Sequence, residues 1–288
     1  MIIPVILLNY NSSSDCRKCI SFLKRQKGIG VEIVVVDNCS TKNDLVKLKA
    51  LCEEEECTLI ENHENRGYNA GNNMGLRYAV EKGYKYALIA NPDMEFPQQD
   101  YLLKLIEVME KDEEIVVCGS DIVSPEGIHQ NPMIRDGNWH ESLRWITGVF
   151  RKKRIDTYDF IDHYEENHYC AKVSGCCLLV KLAFVKEIGF FDEKVFLYCE
   201  EAILSRQVEN RRKKMYYTVA VQAVHRHIKS EKGNPVKRFR NWEQSRIYFI
   251  ERYSGDTTMG KFTAKLSTRM YATLFIVLYR LKNSLLMR

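Results

Sequence analysis

The sequence contains no internal repeat, no low-complexity tract and no large excess of charge of either sign. The first two absences exclude repeat arrays and a compositionally disordered chain. Lysine and arginine number 43 against 38 aspartates and glutamates, a formal charge of +5, too mild to imply nucleic acid unless it is concentrated. It is concentrated only at the end. From Thr257 to Arg288 there is no acid, and basic residues stand at 261, 265, 269, 280, 282 and 288. No secretory signal precedes the ten cysteines, two of them, Cys176 and Cys177, are adjacent, and most others lie in apolar runs. Free thiols in a reducing cytoplasm are expected, not a disulfide framework. Cys16 and Cys19 form a CxxC without a second pair, so a helix-face coincidence is preferred over a zinc or redox site. The apolar core of the C-terminal segment, Tyr271–Tyr279, runs nine residues, far short of the about 20 that a spanning helix needs.

What the chain does have is enough apolar material for a large core: 45% hydrophobic and 11% aromatic residues over 288 positions, which suits one large α/β domain or two fused halves. Short, largely apolar runs at Ile2–Leu8, Glu32–Val36, Thr58–Glu61, Tyr86–Ala90 and Ile115–Cys118 alternate with helical spacing at Ser14–Lys24, Leu45–Cys52, Ala70–Val80 and Tyr101–Met109. The alternation predicts a parallel sheet covered by helices on both faces. In such sheets ligands sit beyond the carboxyl ends of the strands. Polar residues stand there: Asn9 and Asn11, Asp37 and Asn38, Asn91 and Asp93. Between Asn131 and Cys170 the alternation fails, and the segment reads as a long ordered insert with Trp139, Trp145 and the basic stretch Arg151–Arg154. Regular structure resumes with Cys176–Val180, a helix over Glu200–Asn210 and a strand over Met215–Val224 that leads into His225.

Read together, VILLNYN (Val5–Asn11), VVVDNCS (Val34–Ser40), ENRGYNAGNNMG (Glu64–Gly75), IANPDMEF (Ile89–Phe96), VSGCCLLV (Val173–Val180) and GFFDEKVFLYCEEAILSRQ (Gly189–Gln207) resemble family 2 glycosyltransferases. Their order is similar to that in the branch with bacterial rhamnosyltransferases and galactofuranosyltransferases, and joint order is more specific than any single motif. The resemblance implies a GT-A fold: α/β, Rossmann-like, with a mostly parallel central sheet flanked by helices. Residues 1–230 would form that domain, with a nucleotide-binding half at 1–120 and an acceptor and catalytic half at 121–230 that includes the insert 131–170. A basic helical extension would occupy 231–288. The implied activity is inverting transfer from a dTDP- or UDP-sugar, with a rhamnose-like donor favoured, to a saccharide or polyprenyl-diphosphate-linked saccharide in surface polysaccharide synthesis.

Each motif has a physical reading beside that resemblance. Asp37 at a strand end can accept the imide hydrogen of a uracil or thymine ring, or it can cap the following helix, a job for which Asn38 and Ser40 compete. Asn65, Gly67, Gly71 and Asn72 open a helix whose N-terminus suits phosphate, while Gly75 can serve close packing on the sheet. The spacing is not GxGxxG after the first strand, which disfavours a dinucleotide-binding dehydrogenase. Asn91–Asp93 stands where the family has DxD, with an amide for the first acid; Asp93 and His225 would hold Mn²⁺ or Mg²⁺ on the donor diphosphate. His225 also fits an ordinary strand end, and His227 is a second candidate. Glu201 matches the family's base and Glu200 its partner, though two acids opening a helix also suit the macrodipole. Ile203 replaces a further acid of the family.

The basic tail has two readings, a peripheral contact with an anionic membrane on the cytoplasmic face or a helix docked on the domain or on a second copy. The departures at Asn91 and Ile203 also leave open a nucleotide-sugar-binding protein without turnover.

Overall fold

The computed structural model describes residues 1–146, 161–226 and 234–286, with side chains through 283. Arg151–Arg154, His227 and Arg288 lie outside the described residues. The expected alternation holds through β1 (Ile2–Asn9), α1 (Ser13–Leu23), β2 (Gly30–Asn38), α2 (Lys42–Glu54), β3 (Thr58–Asn62), α3 (Tyr68–Glu81) and β4 (Tyr86–Ala90). These strands pair in parallel in the order β3-β2-β1-β4. Next come β5 (Met94–Glu95), α4 (Tyr101–Met109), β6 (Ile115–Val123), a 3-10 turn at Trp139–Leu143, β7 (His168–Cys170), β8 (Cys177–Lys181) and α5 (Leu182–Glu187). The chain ends with α6 (Glu200–Asn210), β9 (Lys214–His225), α7 (Pro235–Arg252) and α8 (Thr258–Leu286).

The sheet is mostly parallel, as expected, and its antiparallel members fall outside the alternating strands of the first half. β8 inserts between β4 and β6 and runs antiparallel to both, and β6 pairs in parallel with β9. A strand buried on both faces has the same apolar composition in either direction, so its pattern carries no sign. β5 and β7 span two and three residues, too few to show a period. β1 to β4, β6 and β9 nevertheless share one direction, and their carboxyl ends open on a common edge.

Alternate residues build the two faces of the sheet. Ile3, Val5 and Leu7 pack with Cys16, Cys19 and Ile20 of α1 and Leu48 of α2, so the CxxC thiols are core atoms. Ile6, Val34 and Val36 pack with Leu76 and Ala79 of α3 on the other face. α3 lies very close to β1: a Cβ on Gly75 would sit 2.5 Å from Ile6 Cγ2, and one on Gly71 would sit 2.4 Å from Leu8 Cδ1.

The C-terminal helices are wedded to the domain. Phe249 of α7 joins Val195, Ala202 and Ile203 in a third apolar cluster, which explains why an acid would be out of place at Ile203. α8 stacks Phe275 on Phe239 of α7 at 3.9 Å, and Ser267 Oγ accepts from Trp145 Nε1 at 2.8 Å. Trp139 covers Gly260, where a Cβ would lie 2.7 Å from the indole. The tryptophans of the insert are thus its anchors on the tail.

Gly75→Ala should destabilise the protein. Overpacking against fully buried Ile6 is worth a loss of about 1–3 kcal/mol, more than the roughly 1 kcal/mol gained in helix propensity. Urea unfolding measures the balance, and a net gain would mean that α3 lifts freely from the sheet.

Candidate active site

The β1–β3 end of the common edge is held by amides. Asn9 is fully buried; its Nδ2 donates to Asp37 Oδ1 at 2.9 Å, Ser40 Oγ at 3.0 Å and Asp44 Oδ2 at 2.9 Å, and its Oδ1 accepts from Ser12 N at 3.1 Å. Its side chain is spent on the protein, so it positions Asp37 and does not itself face a ligand. Asp37 is 1% exposed and accepts from Ser40 N at 3.1 Å through Oδ2. Asp37 thus bonds the turn ahead of α2 and does not cap that helix, whose N-cap Thr41 has no side-chain cap bond, and a carboxylate that can take about four bonds keeps spare lone pairs. Asn11 sits exposed in the left-handed region at φ 57° and accepts from Thr41 N at 2.8 Å. Asn38 donates to Asn65 Oδ1 at 3.1 Å and accepts from Asn62 Nδ2 at 3.1 Å, which ties the ends of β2 and β3 together.

The glycine and asparagine motif at the start of α3 does something other than expected. Its first helical amide, Tyr68 N, donates to Phe196 O at 2.9 Å, so a protein carbonyl occupies the position read as a phosphate site. Gly67, at φ 105°, passes so close that a Cβ would lie 2.3 Å from Phe196 O. Gly71 faces β1 and Asn72 is fully buried, donating to Tyr68 O at 3.1 Å. Asn69 donates to Asp192 O at 2.9 Å. Asn73 donates to Phe191 O at 2.8 Å and accepts from Phe191 N at 3.0 Å. The motif clamps the loop that delivers the acid pair.

At the other end, β5 pairs with the end of β9 so that Met94 faces His225, and Arg226 N donates to Asp93 O at 2.9 Å. Asp93 Oδ1 and His225 Nε2 come within 3.3 Å. His225 Nδ1 lies 2.8 Å from Gln130 Oε1; a glutamine carbonyl accepts, which makes Nδ1 the donor and aims Nε2 at Asp93. Burial disfavours the imidazolium, but the Asp93 carboxylate and the Cys176 thiol outweigh it and raise the group to about 10. Both flank a cleft whose walls include Asp15, Lys18, Glu95 and Glu126.

The acid pair opens α6 after two successive residues at positive φ, Tyr198 at 76° and Cys199 at 67°, a strained entry that needs outside support. Glu200 Oε1 accepts from Tyr198 N at 2.8 Å. Burial first, and the charge of Glu201 second, push the Glu200 carboxyl up to about 8. Glu201 Oε1 accepts from Gly175 N at 3.1 Å.

Tyr68 links these acids to the Asp93 loop, a connection that the sequence reading missed. Its Oη lies 2.7 Å from Gly175 O and 3.0 Å from Asn91 Oδ1, and burial keeps the phenol protonated. One proton serves the shorter contact. The amide of Asn91 can then turn its NH₂ toward the phenol oxygen, which a carboxylate could not do. Asn91 N also donates to Cys176 O at 2.7 Å. Hence Asn91 joins the loops together, and an acid there would leave two oxygens facing each other.

A family model described as glycosyl transferase family 2 matches residues 5–172. Among known proteins, the low-salt glycan biosynthesis hexosyltransferase of Haloferax volcanii is 24% identical over 280 residues, 96% of this chain and 81% of that protein. The N-acetylglucosaminyl-diphospho-decaprenol L-rhamnosyltransferase of Mycobacterium tuberculosis is 21% identical over 275 residues, 88% of this chain and 86% of that one. Among solved structures, a mannosyltransferase from Pyrobaculum calidifontis in complex with GDP-Man and Mn²⁺ matches with a TM-score of 0.58 at 17% identity, over 94% of this chain and 69% of that chain. GalNAc-T7 with UDP, GalNAc and Mn²⁺ matches with a TM-score of 0.61 at 14% identity, over 93% and 54%.

Two outcomes follow from the local geometry. A carboxyl raised in the folded state holds an extra proton there, so its contribution to stability falls as pH climbs from about 4.5 to about 8. Glu200→Gln has no proton to lose and should gain thermal stability over the parent by a margin that widens across that window; a constant margin would mean a solvated Glu200. Tyr68→Phe leaves Gly175 O and the Asn91 amide without their partner and should cost about 1–3 kcal/mol in denaturant unfolding, whereas an unchanged midpoint would remove the phenol from the link.

Proposed function

The chain belongs to glycosyl transferase family 2 and has the GT-A fold, and on that premise we propose that it is an inverting, metal-dependent hexosyltransferase. The carrying observation is that Asp93 and His225 approach within 3.3 Å beside Cys176, while Glu201 is held at 3.1 Å by the backbone N of the preceding residue, Gly175. A single displacement requires this division: a base on the acceptor side and charge neutralisation at the leaving group.

In this reading residues 1–120 hold the nucleotide, with Asn11, Asp37 and Asn65 nearest the donor, and 121–230 present the acceptor. The donor is a dTDP- or UDP-sugar, rhamnose-like by similarity. The acceptor is a saccharide or a polyprenyl-diphosphate-linked saccharide of a surface polysaccharide. The mycobacterial relative, named for a diphospho-decaprenol substrate, supports the lipid-linked class. Glu201 takes the proton of the acceptor hydroxyl as it attacks, and Glu200 shapes the acceptor side. Phe196, 40% exposed at the tip of the clamped loop, packs against a sugar face and excludes water.

The donor set suits a divalent cation: one carboxylate oxygen and, on release of the Nε2 proton to make room for the ion, one imidazole nitrogen aimed by Gln130. Asp93 and His225 would hold Mn²⁺ or Mg²⁺, which would neutralise the departing diphosphate. Both solved structures named above contain Mn²⁺, which supports the choice. Cytoplasmic placement is part of the proposal and fits ten unbridged cysteines. The reading without turnover is motivated by Asn91 and Ile203; the bonds of Asn91 to Tyr68 and Cys176 O and the packing of Ile203 on Phe249 support a structural reason for each departure.

The deciding experiment pairs acid and metal variants. Glu201→Gln should slow transfer about a hundredfold or more with donor affinity little changed, and Glu200→Gln should act mainly on acceptor affinity. Asp93→Ala and His225→Ala should each lose most activity while remaining folded, and EDTA should stop the parent enzyme. Full turnover in EDTA, or in both acid variants, would contradict the mechanism.

A further inference from the structure

α8 carries apolar residues on both of its faces. Toward α7 and the insert it packs Phe275 and Ile276 together with Ala264, Ser267, Thr268 and Ala272. Toward solvent it presents Phe262, Leu266, Met270, Leu274, Val277 and Leu281, each between 39% and 61% exposed. Their spacing of three and four residues lines them along one face of a helix of 29 residues, about 43 Å long. A helix on a water-facing surface keeps its outward face polar. An exposed apolar stripe of this length marks an interaction surface.

The charges beside the stripe indicate its occupant. Arg269, Arg280 and Lys282 are exposed, and among the described residues none of them has an acidic partner. No acid occurs from Thr257 onward. The nearest carboxylate that the helix uses, Glu251 at the end of α7, is already paired with Lys265. A second copy laid on the same face would bring arginines against arginines with no carboxylate between them. An anionic lipid surface meets both demands, with acyl chains for the stripe and phosphates for its cationic flank. Among the described residues no helix is long and apolar enough to cross a membrane, so α8 would lie in the interface plane.

We propose that the outward face of α8 is a docking surface for an anionic bilayer, with Phe262, Leu266 and Met270 entering the headgroup region and Arg269, Arg280 and Lys282 on lipid phosphates. This goes beyond the proposed activity, which needs only the carboxyl edge of the sheet. It accounts for both halves of the tail, since one face docks on the domain and the other faces the membrane.

Flotation of the full chain tests it, using phosphatidylcholine vesicles with and without about 30% phosphatidylglycerol at about 0.15 M salt. The parent protein should float with the anionic vesicles and only weakly with the neutral ones. The triple variant F262S/L266S/M270S, and separately R269E/R280E, should each reduce the bound fraction about tenfold. All the changes are on solvent-facing positions, and thermal unfolding checks that the variants fold. Equal flotation of parent and variants, or no flotation of the parent, overturns the proposal. So does a lipid-free dimer of the parent that the triple variant converts to monomer, which would assign the stripe to a second copy. Transfer in detergent, without vesicles, to water-soluble and polyprenyl-diphosphate-linked saccharides is the separate readout: its absence with both acceptor classes beside intact flotation overturns the proposed function and leaves the docking surface standing.

Discussion

Tyr68 Oη, buried and 2.7 Å from Gly175 O, is the contact through which the two ends of the site hold each other in place. Gly175 and Cys176 lie between them, with Gly175 N on Glu201 and Cys176 O on Asn91 N. Tyr68 closes the circuit from α3. Its position is fixed from below by the close packing of Gly71 and Gly75 on β1, because any Cβ there would lift the helix and carry the phenol away. A short run of small residues in α3 therefore sets the spacing between a carboxylate and a carboxylate–imidazole pair that belong to distant parts of the chain.

The loop from Phe190 to Cys199 needs this support because its backbone is costly. Phe190, Tyr198 and Cys199 all have positive φ, a conformation that persists only where the surroundings impose it. α3 grips the loop through Asn69, Asn73 and Tyr68 N, and α7 grips it from the other side. Tyr248 and Tyr253 donate to Asp192 Oδ2 at 2.7 and 2.6 Å, and Ser245 Oγ donates to Leu197 O at 2.8 Å. The helices after β9 are thus part of the apparatus that orients the acid pair. Ile203 shows the same dependence, since its packing on Phe249 exchanges an acid for a seam with α7.

The βα alternation of the first half was legible because each strand is long enough to show a run and each helix long enough to show a period. The antiparallel β8 was not, since an apolar strand buried on both faces has no directional signal. Asp93, His225 and Glu201 could be singled out because chemistry restricts the residue types. The roles of Asn9, Gly71 and Asn72 could not be read, because an asparagine or glycine near a strand end has the same letter whether it meets a phosphate or a neighbouring loop. Tyr68 went unnoticed inside a motif dominated by glycine and asparagine. Its importance comes from contacts with residues 23 and 107 positions away, and no local pattern records those.

The stereochemistry of transfer bears most directly on the proposal that Glu201, held by Gly175 N, is the base of a single displacement. Proton NMR of the first product formed from a nucleotide sugar in the presence of Mn²⁺ reads the anomeric configuration before mutarotation or side reactions intervene. The account predicts that the configuration at the anomeric carbon is inverted relative to the donor. A product with the donor's configuration retained would require a second displacement or a different face of attack, and would contradict the assignment of Glu201 as the base.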